Sequence, residues 1–253
     1  MRNIKLIMAY DGSSYHGFQV QRHGPTIQEV LERALRDLTG EKIRVTPAGR
    51  TDAGVHALGQ VVNFRTGSSI PPDRFAPALN TYLPRDIVIK LSREVPEDFH
   101  ARFDAIGKVY TYVVHQGPHQ SPFLSHHAHF VQRPLDWDKI AEAAALLQGR
   151  HDFKSFQAAG STVTNTVRTL SRVELARRGP FYLLTFVGDG FLYHQVRNMV
   201  GTLLEVGAGR LQPDDIMGIL KAGRRECAGP TAPAAGLFLS RVLYPVNGLR
   251  KCQ

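Results

Sequence analysis

Cysteine is scarce: the 253 residues contain only Cys227 and Cys252, and the two are not at metal-ligand spacing. That scarcity argues against a disulfide framework and suits a reducing compartment, so a cytoplasmic location is expected. No apolar run approaches the roughly 20 residues that span a bilayer, and Met1-Arg2-Asn3-Ile4-Lys5 is too brief and polar to begin a secretory leader. No membrane association is expected. No G-x-x-x-x-G-K-[S/T] occurs, and Gly188-Asp189-Gly190 and Gly207-Ala208-Gly209 do not complete a G-x-G-x-x-G, so nucleotide cofactors have no support. His126-His127-Ala128-His129 lacks the i, i+4 spacing of a helical metal pair. Neither a metal nor a cofactor is expected. Acidic residues are outnumbered, 22 Asp and Glu against 31 Lys and Arg, for a formal charge of +9 with only 21% charged residues. A basic excess on modest total charge favours a polyanion such as nucleic acid over a membrane. A basic but unspecialised surface is the plainer alternative.

What is present is an alternation of strand and helix patterns. Ile4 to Tyr10 reads as a strand. Thr26-Ile27-Gln28-Glu29 is a capping box, and Ile27, Val30, Leu31, Ala34, Leu35 and Leu38 follow at the spacing of an amphipathic helix. Lys42 to Thr46 and Gly59 to Phe64 read as strands. Phe75 to Leu83 reads as a helix burying Phe75, Leu79 and Tyr82, and Asp86 to Leu91 closes the unit as a strand. The second half repeats that order. It has a two-faced strand at Lys108 to His115, a helix capped by Asp136, and a hairpin of Leu170 to Leu175 with Phe181 to Val187. A long apolar helix from Tyr193 to Val206, a shorter one beginning at Pro213 and a last strand at Leu237 to Leu243 complete it. The segment Gly117 to Pro134 reads as a long loop. Two tandem β-α-β-β-α-β units predict an α+β fold of two ferredoxin-like halves, residues 1–98 and 99–253, with a mainly antiparallel sheet, helices on one face and a central cleft. No sequence repeat links the halves, so the duplication rests on element order alone.

Chemistry concentrates in a few places. Asp52 stands in Gly49-Arg50-Thr51-Asp52-Ala53-Gly54-Val55-His56-Ala57, a polar turn bounded by glycines between two strands. Such a carboxylate can be held ionised and aimed outward as a nucleophile while Arg50 grips phosphate. It can also simply cap the turn. In the run from Gly190 to Gly201, His194, Arg197 and Gly201 fall at helical spacing; Arg197 is either marginal or directed into a cleft, where it needs a carboxylate such as Asp52. Tyr110 and Tyr112 share a strand face and either fill core or offer a ring to a base and a hydroxyl to a proton.

Taken together these segments resemble the bacterial tRNA pseudouridine synthase A family over nearly the full length. The likeness is carried by Tyr10 to Gln19, the Gly49 to Ala57 loop, Leu79-Asn80-Thr81-Tyr82-Leu83-Pro84, Phe99 to Arg102, and Tyr110. Gly149-Arg150-His151-Asp152-Phe153, Phe191 to Gly201 and Ala234-Ala235-Gly236-Leu237 extend it in the same order. Lys108 stands where the family often has Arg, and Gln195 and Asp189 where Met and Asn are common; a lysine does not reproduce a bidentate arginine grip. The resemblance implies that Asp52 is the catalytic nucleophile, that Arg50 contacts RNA and helps displace the target nucleotide, that Arg197 pairs with Asp52, and that Tyr110 lies against the target uracil. It further implies a continuous antiparallel sheet with the site between two halves, a homodimer, and a tRNA partner modified at uridines 38 to 40 of the anticodon arm. Two other classes stay in view. One is a non-catalytic tRNA-binding or chaperone protein. The other is a nucleoside or sugar hydrolase, which generally wants a second carboxylate or a metal.

Overall fold

A computed structural model describes residues 1–245, and Cys252 lies outside them. The chain divides into two compact units, Met1–Ile106 with the C-terminal segment from Phe238, and Gly107–Leu237. The fold is α+β, the class that the pattern predicts, and the described residues form ten mostly antiparallel strands and five helices.

The first unit runs β1 (Arg2–Tyr10), α1 (Ile27–Thr39), β2 (Thr46–Pro47), β3 (His56–Thr66), α2 (Phe75–Tyr82) and β4 (Ile87–Val95). Strand β1 lies between β3 and β4, antiparallel to both. Its Ile4, Leu6, Met8 and Tyr10 are buried on one side, with Ile27, Leu31 and Leu35 of α1 and Phe75 and Leu79 of α2. Helix α1 starts where its cap dictates: Thr26 Oγ1 accepts the Glu29 N–H, and Gly40, in a left-handed conformation, ends it. The opposite side of β1 is covered too. Asn3 Nδ2 donates to the carbonyls of Pro96 and Phe99, and Lys5 Nζ sits 4.0 Å from the Tyr244 ring centroid. Burial, with Arg93 nearby, lowers the Lys5 ammonium to about 8.

The second unit contains β5 (Gly107–Gln116), β6 (His129–Val131), α3 (Trp137–Leu146), β7 (Gly149–Asp152), β8 (Val167–Arg178), β9 (Phe181–Gly188), α4 (Gln195–Gly207) and α5 (Asp215–Ala222). Strand β5 pairs antiparallel with β9, and β9 with β8. Tyr112 and Val114 of β5 and Leu184 and Phe186 of β9 are buried, as are Val196, Met199, Val200 and Leu203 of α4. Asp136 Oδ1 accepts the Lys139 N–H and caps α3. The last strand, β10 (Leu237–Leu243), pairs parallel with β3 and so belongs, apart from Leu237, to the first unit.

Several expectations need correction. Lys42 to Thr46 contributes only Thr46–Pro47 to the ladder, because the Val45 N–H is taken by Glu32 Oε1. Tyr82 is exposed at the end of α2 rather than buried. The loop from Gly117 to Pro134 contains β6, and β7 forms where the sequence pattern marks no strand. Helix α5 starts at Asp215, two residues past Pro213. Helix α4 begins at Gln195 rather than Tyr193, because His194 is left-handed with φ 58°.

Candidate active site

Asp52 belongs to a loop held rigid from beneath. Its main-chain carbonyl accepts the Val55 N–H at 3.1 Å, and Gly54, with φ +75°, supplies the positive φ that the tight turn requires. Thr51, next in line, is buried, and its Oγ1 lies 2.7 Å from the Tyr10 hydroxyl. Burial pushes the Tyr10 hydroxyl up to about 12, so it stays protonated as a permanent hydrogen-bond partner. Gln60, fully buried on β3, donates to the Gly49 carbonyl at 2.8 Å and clamps the other end of the loop. The Phe18 N–H reaches the Thr51 carbonyl at 3.0 Å.

The segment around Gly12 and Gly17 packs on this loop so closely that only glycine fits. A Cβ on Gly12 would lie 2.0 Å from the Val55 carbonyl oxygen, and one on Gly17, whose φ is +86°, 2.7 Å from that of Thr51. His56 closes the loop: its Nδ1 lies 3.1 Å from the Gly12 N–H, and its ring stacks on Phe238 at 4.7 Å. Tyr15 donates to Asp86 Oδ1, and burial together with that carboxylate raises its hydroxyl far above the ordinary range. Upon this base Asp52 is half-buried and Arg50 exposed. A carboxylate is thus presented at a fixed place, next to a cation that solvent and ligand can reach.

The second unit builds its own constellation at the start of α4. Tyr110, on β5, is buried with its ring edge-on to Phe191, centroids 5.0 Å apart. Arg197, in the first turn of α4, donates from Nε to the Ala232 carbonyl at 2.7 Å, and the Ala232 N–H returns a bond to the Arg197 carbonyl at 3.1 Å. Its Nη1 lies 3.4 Å from His194 Nε2. The Tyr112 hydroxyl donates to the Pro233 carbonyl, and burial raises it far above its ordinary range despite the opposing Arg197 charge. His194 is the one non-glycine residue with positive φ among those described, an uncommon conformation that costs about 1–3 kcal/mol. Such strain is found where the surroundings over-determine a residue. Here it turns the chain into α4 and brings the His194 ring onto the Arg197 fork.

The four candidate residues therefore fall two to a unit. Asp52 and Arg50 share the first unit's loop; Tyr110 and Arg197 meet neighbouring residues of the Phe191–Arg197 turn. Sequence reasoning overlooked the supports: Tyr10 and Gln60 beneath the loop, His194 and Ala232 on the arginine. Gly12 and Gly17, two glycines within six residues, are the available signal for the first group. Histidine enters the left-handed region more often than most residues, but that weak preference does not single out His194.

The profile of the tRNA pseudouridine synthase family matches residues 6–104 and 143–245. The tRNA pseudouridine synthase A of Acetivibrio thermocellus is 49% identical over 244 residues, 96% of this chain and 100% of that one. That of Moorella thermoacetica is 50% identical over 243 residues, 95% of this chain and 99% of the relative. That of Syntrophomonas wolfei is 46% identical over 245 residues, 97% and 98% respectively.

Proposed function

The chain belongs to the tRNA pseudouridine synthase family, and on that footing we propose that it isomerises uridines of the tRNA anticodon arm, at positions 38 to 40, with Asp52 as nucleophile. It is an isomerase. The reaction breaks the N1–C1′ bond, turns the uracil and rejoins it through C5, with one proton leaving C5 and one arriving at N1. No net redox change or group addition takes place, so the residues needed are few.

The target nucleotide must leave its stack, at a cost of a few kcal/mol that is smaller in a loop than in a duplex. Arg50, exposed beside Asp52, is assigned to hold the displaced backbone. Asp52 must remain ionised once RNA excludes water, where an isolated carboxylate is costly. Arg197 is assigned as its counter-charge, and the His194 and Ala232 contacts hold that guanidinium in one orientation. Tyr110 is assigned to the uracil, its ring fixed by Phe191.

The observation that carries this reading is the construction of the Asp52 loop. Two buried side chains, two glycines without room for a Cβ and a positive-φ turn hold a half-buried carboxylate in place. A surface turn needs none of that support. The enzyme is further proposed to act as a homodimer in the cytoplasm; no helix among the described residues is long and apolar enough to cross a membrane.

Site-resolved detection of pseudouridine in a treated tRNA transcript tests the substrate reading. Pseudouridine at 38 to 40 is the expected result, and its appearance only outside the anticodon arm would overturn the assignment. The hydroxyl of Tyr110 is a candidate base for the C5 proton. Tyr110→Phe is expected to lower kcat by about 10²- to 10⁴-fold, the scale of general acid–base catalysis, without weakening tRNA binding. Near-normal turnover by this variant would assign the proton to another group.

A further inference from the structure

A hollow of about 370 Å³ opens wholly within the second unit, lined by the end of β5, the Gly117–Pro118 turn, Gln132 after β6, and the β8–β9 turn. Its volume lies toward the lower end of the roughly 300–1,000 Å³ range of small-molecule sites, enough for one nucleotide rather than a helix. The walls are tied together. The Gln116 N–H donates to the Pro180 carbonyl at 2.9 Å, and the Gln132 side-chain amide to the Pro118 carbonyl at 3.3 Å.

The hollow is also free of negative charge in its own chain segments. Residues 105–135 and 175–188 contain no Asp or Glu, while Arg133, Arg177 and Arg178 flank or line it. Asp136, Glu174 and Asp189 border these segments, and each is engaged elsewhere: Asp136 caps α3, Glu174 lies 3.6 Å from Arg172, and Asp189 Oδ1 accepts the Thr169 N–H.

Arg177 is prepared for a ligand rather than loose. Its guanidinium lies 5.5 Å from the Tyr182 ring centroid, and Tyr182 stacks on Trp137 with centroids 3.6 Å apart and planes 4° from parallel. The Trp137 indole N–H in turn donates to Gln116 Oε1, which anchors the bottom of the stack to β5. Arg177 Nε is committed to the Gly179 carbonyl at 3.2 Å. That orients the planar group and leaves its two Nη nitrogens as the edge that pairs bidentately with a phosphodiester.

We propose that this hollow is an RNA backbone site: Arg177, held by the Tyr182–Trp137 stack, binds a phosphate of the substrate tRNA while the adjoining pocket accepts the attached nucleotide. The proposal rests on the tRNA reading above and adds a contact that positions substrate without joining the chemistry. The site carries no base-edge code, so its contribution is affinity that falls with salt.

The test measures tRNA affinity across a salt series, together with kcat and KM, for wild type, Arg177→Ala and Arg177→Lys. Arg177→Ala is expected to raise Kd and KM about tenfold, the scale of one charge-assisted contact, with kcat unchanged. The slope of log K against log salt should shrink by about 0.7 to 0.9, one phosphate's worth. Arg177→Lys should keep the slope and recover only part of the affinity, because lysine retains the charge without the fork. Wild-type Kd and slope in Arg177→Ala, with wild-type isomerisation intact, would overturn the site while leaving the enzyme assignment standing. A wild type that neither binds nor modifies tRNA would instead overturn the reading beneath it. An Arg177→Ala variant that changes oligomeric state but not tRNA affinity would assign the surface to a second copy of the chain.

Discussion

Asp52→Asn should bind tRNA within about threefold of wild type and isomerise uridine at least ~10⁴-fold more slowly, the loss typical of removing a catalytic nucleophile. That factor corresponds to about 5.5 kcal/mol of transition-state stabilisation. The loop's backbone is expected to survive the substitution. Asparagine keeps the size of the side chain, and the turn is closed by the Asp52 main-chain carbonyl on the Val55 N–H, which the amide leaves intact. The loop's supports, Tyr10 with Thr51 and Gln60 with Gly49, do not involve the carboxylate. Fluorescence or filter binding paired with a pseudouridine assay separates the two quantities. A protein that only binds or remodels tRNA would be indifferent to the change, so full retention of its effect would favour the chaperone class.

Gly201→Ala should be the most damaging single methyl group in the second unit. A Cβ there would lie 1.6 Å from the Pro230 carbonyl oxygen and 3.3 Å from the Ala232 nitrogen. The same segment carries the Ala232 carbonyl that anchors Arg197, one helical turn before Gly201. Replacing a helical glycine by alanine ordinarily gains about 1 kcal/mol of helix propensity. Here the clash is with backbone and cannot be relieved by a rotamer, so overpacking of about 3 kcal/mol or more outweighs that gain. For a chain of this size the net effect is a fall in Tm of roughly 4–8 °C. Displacement of the 229–232 segment should also free the Arg197 side chain and lower kcat well beyond what the stability loss explains. Thermal unfolding and single-turnover kinetics check both parts; a variant with wild-type Tm and kcat would show that the contact yields without consequence.

The parts of this fold that were legible in the sequence are those set by local chemistry. Thr26 capping α1, Asp136 capping α3 and the alternation of Tyr110, Tyr112 and Val114 each appear as expected. The stretch from Lys42 to Val45 has the pattern of a strand, with Ile43 and Val45 buried in alternation, yet it does not join the ladder because Glu32 of α1 takes the Val45 amide. Strand β7, Gly149–Asp152, has no apolar side chain to mark it and exists through its pairing with β8. At the site, glycine spacing around Asp52 pointed to a built turn. The buried partners Tyr10 and Gln60 lie about 40 and 10 residues away in sequence, and only folding brings them to it. The strained His194 is likewise fixed by tertiary packing, which the weak left-handed preference of histidine does not reveal.

Release of tritium from tRNA carrying [5-³H]uridine reports loss of the C5 proton, the event that distinguishes this isomerisation from binding, remodelling or hydrolysis. Wild-type protein is expected to release label in step with pseudouridine formation, and Asp52→Ala to release none above background. Label released by Asp52→Ala at a rate near wild type would contradict the assignment of Asp52 as the group on which the reaction depends.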